Sequence, residues 1–164
     1  MKNTNNIYEE KIASKWTTGL LVFKMLIISS IMIYLIWTEP IQKYPVLNLF
    51  FWILFFFFLV VTINFSRLSV EITGGSIIVG YGILKEKILL ENIEDCYLDK
   101  TSAIYYGGWG IRISRINGKW RKVYNTVGEP RVVLLLKAGR FREFVFSTKN
   151  PEEIINLIKE QIKK

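Results

Sequence analysis

Apolar residues crowd into two nearly unbroken runs early in the chain, after which the pattern changes. Trp16 to Trp37 reads WTTGLLVFKMLIISSIMIYLIW, with Lys24 its one charged residue. Val46 to Phe65 reads VLNLFFWILFFFFLVVTINF and carries no charge. Each run has about the 20 residues a helix needs to cross roughly 30 Å of hydrocarbon. The second is apolar all round, which no soluble core helix requires. Between them lies TEPIQKYP, whose Pro40 and Pro45 stop one helix and start the next. The pattern predicts a helical hairpin over residues 1–66, with spans at about 16–37 and 46–65. The first run is too long for a signal-peptide core and no A-x-A-like site follows it.

From Leu68 onward, short β-rich runs alternate with turn signals. The predicted strands are LSVEIT, IIVGYG, KEKILL, IEDCYL, WGIRISRI, KWRKVYN, RVVLLLK and FREFVFS. Asn117-Gly118 is the sharpest hairpin signal, because a type I′ turn needs φ > 0 twice. A terminal helix follows. Asn150 suits its N-cap, Pro151 its first position, and Glu153 a capping box. Ile154, Ile155, Leu157, Ile158 and Ile162 form one apolar face, with Glu152 and Glu153 at one end and Lys163 and Lys164 at the other. A sheet of this size removes its edges by curling into a barrel, and the helix can close an open end. The expected fold is α+β: a two-helix transmembrane hairpin, then an antiparallel β-barrel over 67–164 capped by the C-terminal helix.

Charge sharpens this division. The 164 residues are 51% hydrophobic yet carry a net charge of +8, and most of that charge lies after the apolar runs. Lys2, Lys11 and Lys15 precede the first span and Arg67 follows the second, whereas the connecting loop has only Lys43. The positive-inside rule therefore places both termini in the cytoplasm of a two-pass protein of the cell membrane. Trp16, Trp37 and Tyr44 fall where an aromatic belt belongs. Lys24 has two readings. A lysine deep in a span costs up to ~3 kcal/mol and can mark a partner contact or pathway. It also lies about two turns inside the cytoplasmic end, close enough for its stem to snorkel to the headgroups.

Here a resemblance enters. ILLENIEDCYL, YYGGWGIR, VYNTVGEPRVVLLLKAGRFREFVFST and NPEEIINLI, following two spans, resemble the small bacterial and archaeal membrane proteins with a pleckstrin-homology-like domain. The resemblance covers roughly residues 68–162. It implies a seven-stranded, partly open barrel capped by the helix, and a binding or assembly role. It carries over no catalytic residue. The eukaryotic relatives often bind phosphoinositides through basic residues between the first two strands. That loop is TGGS here, without Lys or Arg, so a phosphoinositide site of the usual kind is not expected.

Candidate chemistry is sparse. The chain has no histidine and one cysteine, Cys96. This removes the usual general base, an internal disulfide and a multi-cysteine metal site. We expect no enzyme, no metal and no cofactor, with Cys96 a small buried apolar residue. GGWG matches neither a dinucleotide fingerprint nor a P-loop. Gly107 and Gly108 read as a turn, and Gly110 as a close approach at a strand start. Trp109 then lies over the barrel end, faces the membrane, or contacts a partner.

The strongest chemical signal is basic. Residues 112–142 hold nine Lys or Arg, with Glu129 the one acid among them. Residues 86–99 carry Glu86, Glu91, Glu94, Asp95 and Asp99 against Lys87, so the domain is electrically two-sided. A two-residue turn pairs Ile116 with Lys119, Ser114 with Arg121 and Arg112 with Val123, all on one face. Arg112, Lys119 and Arg121 should therefore project outward together. Lys122 falls on the other face, as do Arg115 and Trp120, where Arg115 can stack on the indole. A basic face tethered to a bilayer attracts anionic headgroups by about 1 kcal/mol per residue. A generically basic soluble face is the plainer alternative. With no recognition helix or RNA-binding aromatic motif, nucleic acid is not an expected partner. The leading reading is a membrane-anchored module offering a basic surface to anionic lipid or a protein partner. The alternative is an accessory subunit of a transporter or channel complex, or a homo-oligomer, assembled through the hairpin.

Overall fold

The computed structural model describes residues 6–38, 45–116 and 118–162. Pro40, Lys43, Tyr44, Lys2, Asn117, Lys163 and Lys164 lie outside them. Among the described residues there are two long helices, nine strands, the first of them ahead of both helices, and a terminal helix. β1 (Asn6–Ala13) leads into α1 (Lys15–Thr38), and α2 (Pro45–Phe65) leads into β2 (Arg67–Thr73). Both helices are long and apolar enough to cross a membrane. Thr17, Leu21, Ile28 and Met32 of α1 are buried, and within α2 only Thr62 is. Much of α2 lies open: Phe57 is 58% exposed and Ile63 67%.

The β-rich part comprises β2, β3 (Ser76–Tyr81), β4 (Leu84–Leu89), β5 (Ile93–Leu98), β6 (Gly110–Ile116), β7 (Lys119–Asn125), β8 (Arg131–Leu136) and β9 (Glu143–Ser147). Each expected strand forms, within a residue or two at the ends. Alternation decides the faces. Leu68, Val70 and Ile72 of β2 are fully buried, as are Ile77 and Val79 of β3. The strands form two sheets, ordered β1-β2-β3-β4 and β5-β8-β9-β7-β6.

The expected barrel is not formed. Among the described residues no ladder joins one sheet to the other, so edges remain at β1, β4, β5 and β6. β9 slots between β8 and β7 and runs parallel to β7, so the second sheet is not purely antiparallel. β4 faces the second sheet through side chains rather than backbone: Lys122 of β7 ion-pairs with Glu86 of β4. A groove of about 690 Å³ stays open there, beside Phe141 and Phe144. The run Lys85-Glu86-Lys87 on β4 is the charged kind of edge that resists pairing with another chain.

The strand pairing also crosses the boundary drawn at residue 67. β1 pairs along β2 from Ala13↔Arg67 to Asn6↔Thr73, and Ile12 is fully buried in the core. The helical hairpin is thus set between two paired strands. The Ser14 N–H donates to the Ser66 carbonyl at 2.9 Å where the strands become helices.

α3 (Pro151–Ile162) packs on β5 with Ile154 and Ile158 fully buried. Those two residues join the inward faces of both sheets in one core with Tyr81, Phe144 and Phe146. The Asn150 amide donates to the Tyr8 hydroxyl of β1 at 3.4 Å.

Candidate functional site

The basic hairpin forms in the register read from its turn. Ile116 pairs with Lys119, Ser114 with Arg121, Arg112 with Val123, Ile113 with Lys122 and Arg115 with Trp120. What lies over that register differs from expectation.

The outer face of the second sheet is not all solvent. Its centre is a row of valines: Val123 of β7, Val145 of β9 and Val133 of β8. Residues 99–109 fold back over this row and press Tyr106 onto it. Tyr106 closes a short 3-10 turn, Ala103–Tyr106, and Gly107 after it takes φ +70, a left-handed conformation suited to glycine. The Tyr105-Tyr106-Gly107-Gly108 stretch is therefore a cover for the sheet. The Asn125 amide holds it by donating to the Gly108 carbonyl at 2.7 Å.

Under this cover Arg121 is 6% exposed, which corrects its expected outward position. Its Nε ion-pairs with Glu143 Oε2 across the parallel β7–β9 pair. Its Nη1 donates to the Tyr106 hydroxyl at 2.7 Å and to Thr101 Oγ1 at 3.3 Å, and lies 3.8 Å from Asp99 Oδ1. Asp99 in turn accepts from Arg131 Nε at 2.8 Å. Two arginines and two carboxylates thus share one buried network. Burial opposes ionisation of Asp99, but bonds from Arg131 and Thr101 outweigh it and hold its pKa below the ordinary value. Burial likewise works against the Arg121 charge, and the Tyr106 bond and the Glu143 charge more than offset it. Burial pushes the Tyr106 hydroxyl up.

Lys122 is also engaged. It bonds Glu86 and lies 5.9 Å from the ring centres of both Tyr124 and Phe141, so it works as a staple between the sheets. Three predicted residues remain at the surface. Arg112 is exposed with no ion pair among the described residues. Arg115 is exposed, 5.7 Å over the Trp120 ring, with Nε donating to the Gly118 carbonyl at 3.4 Å. Lys119 is half exposed and stands 3.5 Å from Glu143 Oε1. Arg140 and Arg142 add exposed charge beside this tip, where the Arg142 N–H donates to the Trp120 carbonyl at 3.2 Å.

Trp109 belongs to the other end of β6. Its ring meets Phe65, the last residue of α2, edge-on at 6.3 Å. A Cβ on Gly110 would stand in ordinary contact, 3.8 Å from the Phe65 ring, so the close approach expected there is not what asks for glycine; its φ of +87 is. β6 rises about 3.3 Å per residue, so Arg112 sits near this end and Arg115 well along the strand. Lys24 is exposed on α1, with its Nζ 6.0 Å from the centre of the Phe58 ring on α2.

Among the described residues no group of three or more His, Cys, Asp or Glu is placed to hold a metal ion. Cys96 is buried, and burial pushes its thiol up to about 11. Comparison of the chain with family models, with curated proteins and with solved structures finds no match.

Proposed function

We propose that the protein is a membrane-anchored binding module, held at the cytoplasmic leaflet by the α1–α2 hairpin. Its β6–β7 hairpin presents Arg112, Arg115 and Lys119 to anionic groups, as the likeness to pleckstrin-homology-like membrane proteins also suggests. One observation carries the reading. The apolar helices pass into paired strands β1 and β2 without a linker, the Ser14–Ser66 hydrogen bond lying at the junction. Such a domain stays at a fixed place beside whatever its helices are buried in. An all-round apolar helix such as α2 finds a suitable environment in lipid. The buried network takes Arg121 and the inter-sheet pair with Glu86 takes Lys122, which lowers the number of available charges.

The test uses the full chain in nanodiscs of neutral or anionic lipid, read by hydrogen exchange of β6 and β7. Protection that rises with anionic lipid, and is lost in Arg112→Glu/Arg115→Glu/Lys119→Glu, supports headgroup binding. Equal exchange in both discs, with an acidic protein co-purifying with the native chain but not the triple variant, supports a protein partner. If neither result is obtained, the basic face has no part in the function.

The exposed aromatic surface of α2 favours a second reading, an accessory subunit docking that helix against other membrane helices. Co-purification of a membrane protein that survives the triple variant and is lost on Phe56→Ala/Phe57→Ala would support it.

A further inference from the structure

We infer that a collar of apolar side chains, Ile83, Trp109, Ile104 and Val127, enters the interfacial layer of the bilayer around the end of α2, so that the domain is seated in the membrane surface rather than suspended beside it. The inference rests on the reading that α1 and α2 span a membrane.

Two segments reach the end of α2 directly and a third adjoins them. The β3–β4 turn is fastened to α2: the Ile83 N–H donates to Asn64 Oδ1 at 2.9 Å. Gly82, at φ +50, packs so tightly there that a Cβ would meet Asn64 Oδ1 at 2.0 Å. This holds Ile83 at the helix end with 89% of its surface exposed. Trp109 reaches the same end from the start of β6 through Phe65. The third segment is the turn after β7. The Tyr81 ring lies tilted against Phe65, their centres 5.2 Å apart, and its hydroxyl donates to the Asn125 carbonyl at 2.7 Å. Beyond Asn125, Val127 and Ile104 line a shared open hollow of about 460 Å³ with Gly107 and Gly108. Ile104 is 87% exposed.

Single exposed apolar residues need no explanation. Ile83 and the half-exposed Trp109 at the last turn of a helix that is itself apolar all round, with Ile104 and Val127 lining the hollow beside Gly108, do, because together they extend its apolar surface. The neighbouring charges fit the same level. Lys15 and Arg67 are exposed where the helices meet the strands, and Trp16 beside them is 78% exposed, as an interfacial aromatic would be. The occupant this surface fits is therefore the headgroup–acyl boundary of the bilayer already holding the helices.

The experiment attaches bimane to the full chain in nanodiscs through one of Ile83→Cys, Ile104→Cys, Ala138→Cys or Phe57→Cys. The native thiol of Cys96 is buried and stays unlabelled. Quenching by lipids carrying a nitroxide at the shallow end of the acyl chain should be several-fold stronger at 83 and 104 than at 138. Position 138 lies in the loop after β8, tied through Asn92 to the far corner of the fold. Equal, weak quenching at 83, 104 and 138, with the label at 57 shielded from water, overturns the collar and leaves the spans standing. A water-exposed label at 57 overturns the spans and the collar with them.

Discussion

Arg121 of β7 and Glu143 of β9 stand directly opposite each other in the parallel pair of the second sheet, both buried, in ionic contact. Neither charge can reach bulk water without moving the cover carrying Tyr106. Removing one partner leaves the other buried with weaker compensation, Glu143 with Lys119 at 3.5 Å and Arg121 with Asp99 at 3.8 Å, so the cost approaches the about 3–5 kcal/mol of a broken buried pair from below. Arg121→Met and Glu143→Leu should each destabilise the full chain by that order. The double variant should lose less than the sum, because it leaves neither charge alone. Denaturant melts of the purified chain in detergent measure both.

Asp99 sets an acid limit to stability. Its folded pKa lies below the ordinary 3.8, so its ionised form stabilises the fold at pH above that value. The contribution is lost as the pH falls through the folded-state pKa. Asp99→Asn should lower stability at neutral pH and flatten its fall on acidification. Melting temperatures between pH 7 and pH 3 test this.

Gly82 cannot carry a side chain without displacing Asn64. Gly82→Ala should cost roughly 1–3 kcal/mol through strain at positive φ and this contact. Gly75→Ala, where a Cβ meets nothing within 4 Å and φ is not positive, should change stability little. Paired thermal melts compare them.

Ile12 is buried although it precedes both helices. Ile12→Ala should destabilise the β-rich part by about 2–5 kcal/mol, as buried Ile→Ala changes do. Hydrogen exchange along β2 and β3 should rise with it.

Cys96 should resist maleimide at neutral pH, because burial pushes its thiol up to about 11. It should react promptly once the chain is unfolded. Mass spectrometry of labelled protein reads both states.

Much of this architecture is legible in the chain because its signals are local. Asn117-Gly118 sets a two-residue turn, and every pair from Ile116↔Lys119 to Ile111↔Tyr124 follows from that count. The burial of Arg121 is not legible in the same way. Its partner Glu143 lies just beyond the basic block and reaches it through a parallel pairing that no turn announces. β1 is hidden for a different reason. Tyr8, Glu10 and Ile12 alternate inward, but Glu10 breaks the apolar signal. Its carboxylate is satisfied from a distance, by the Thr148 hydroxyl at 2.7 Å and the Lys149 N–H at 2.9 Å. The barrel expectation failed because closure depends on strand order, which alternation does not encode.

The nesting of α1 and α2 between β1 and β2 imposes an order on synthesis. β1 emerges from the ribosome early, yet its hydrogen-bonding partner does not exist until both apolar helices have been made. At the ~5–20 residues per second of translation, β1 waits for seconds as an unpaired strand. The sheet is therefore completed only after both apolar helices have been made.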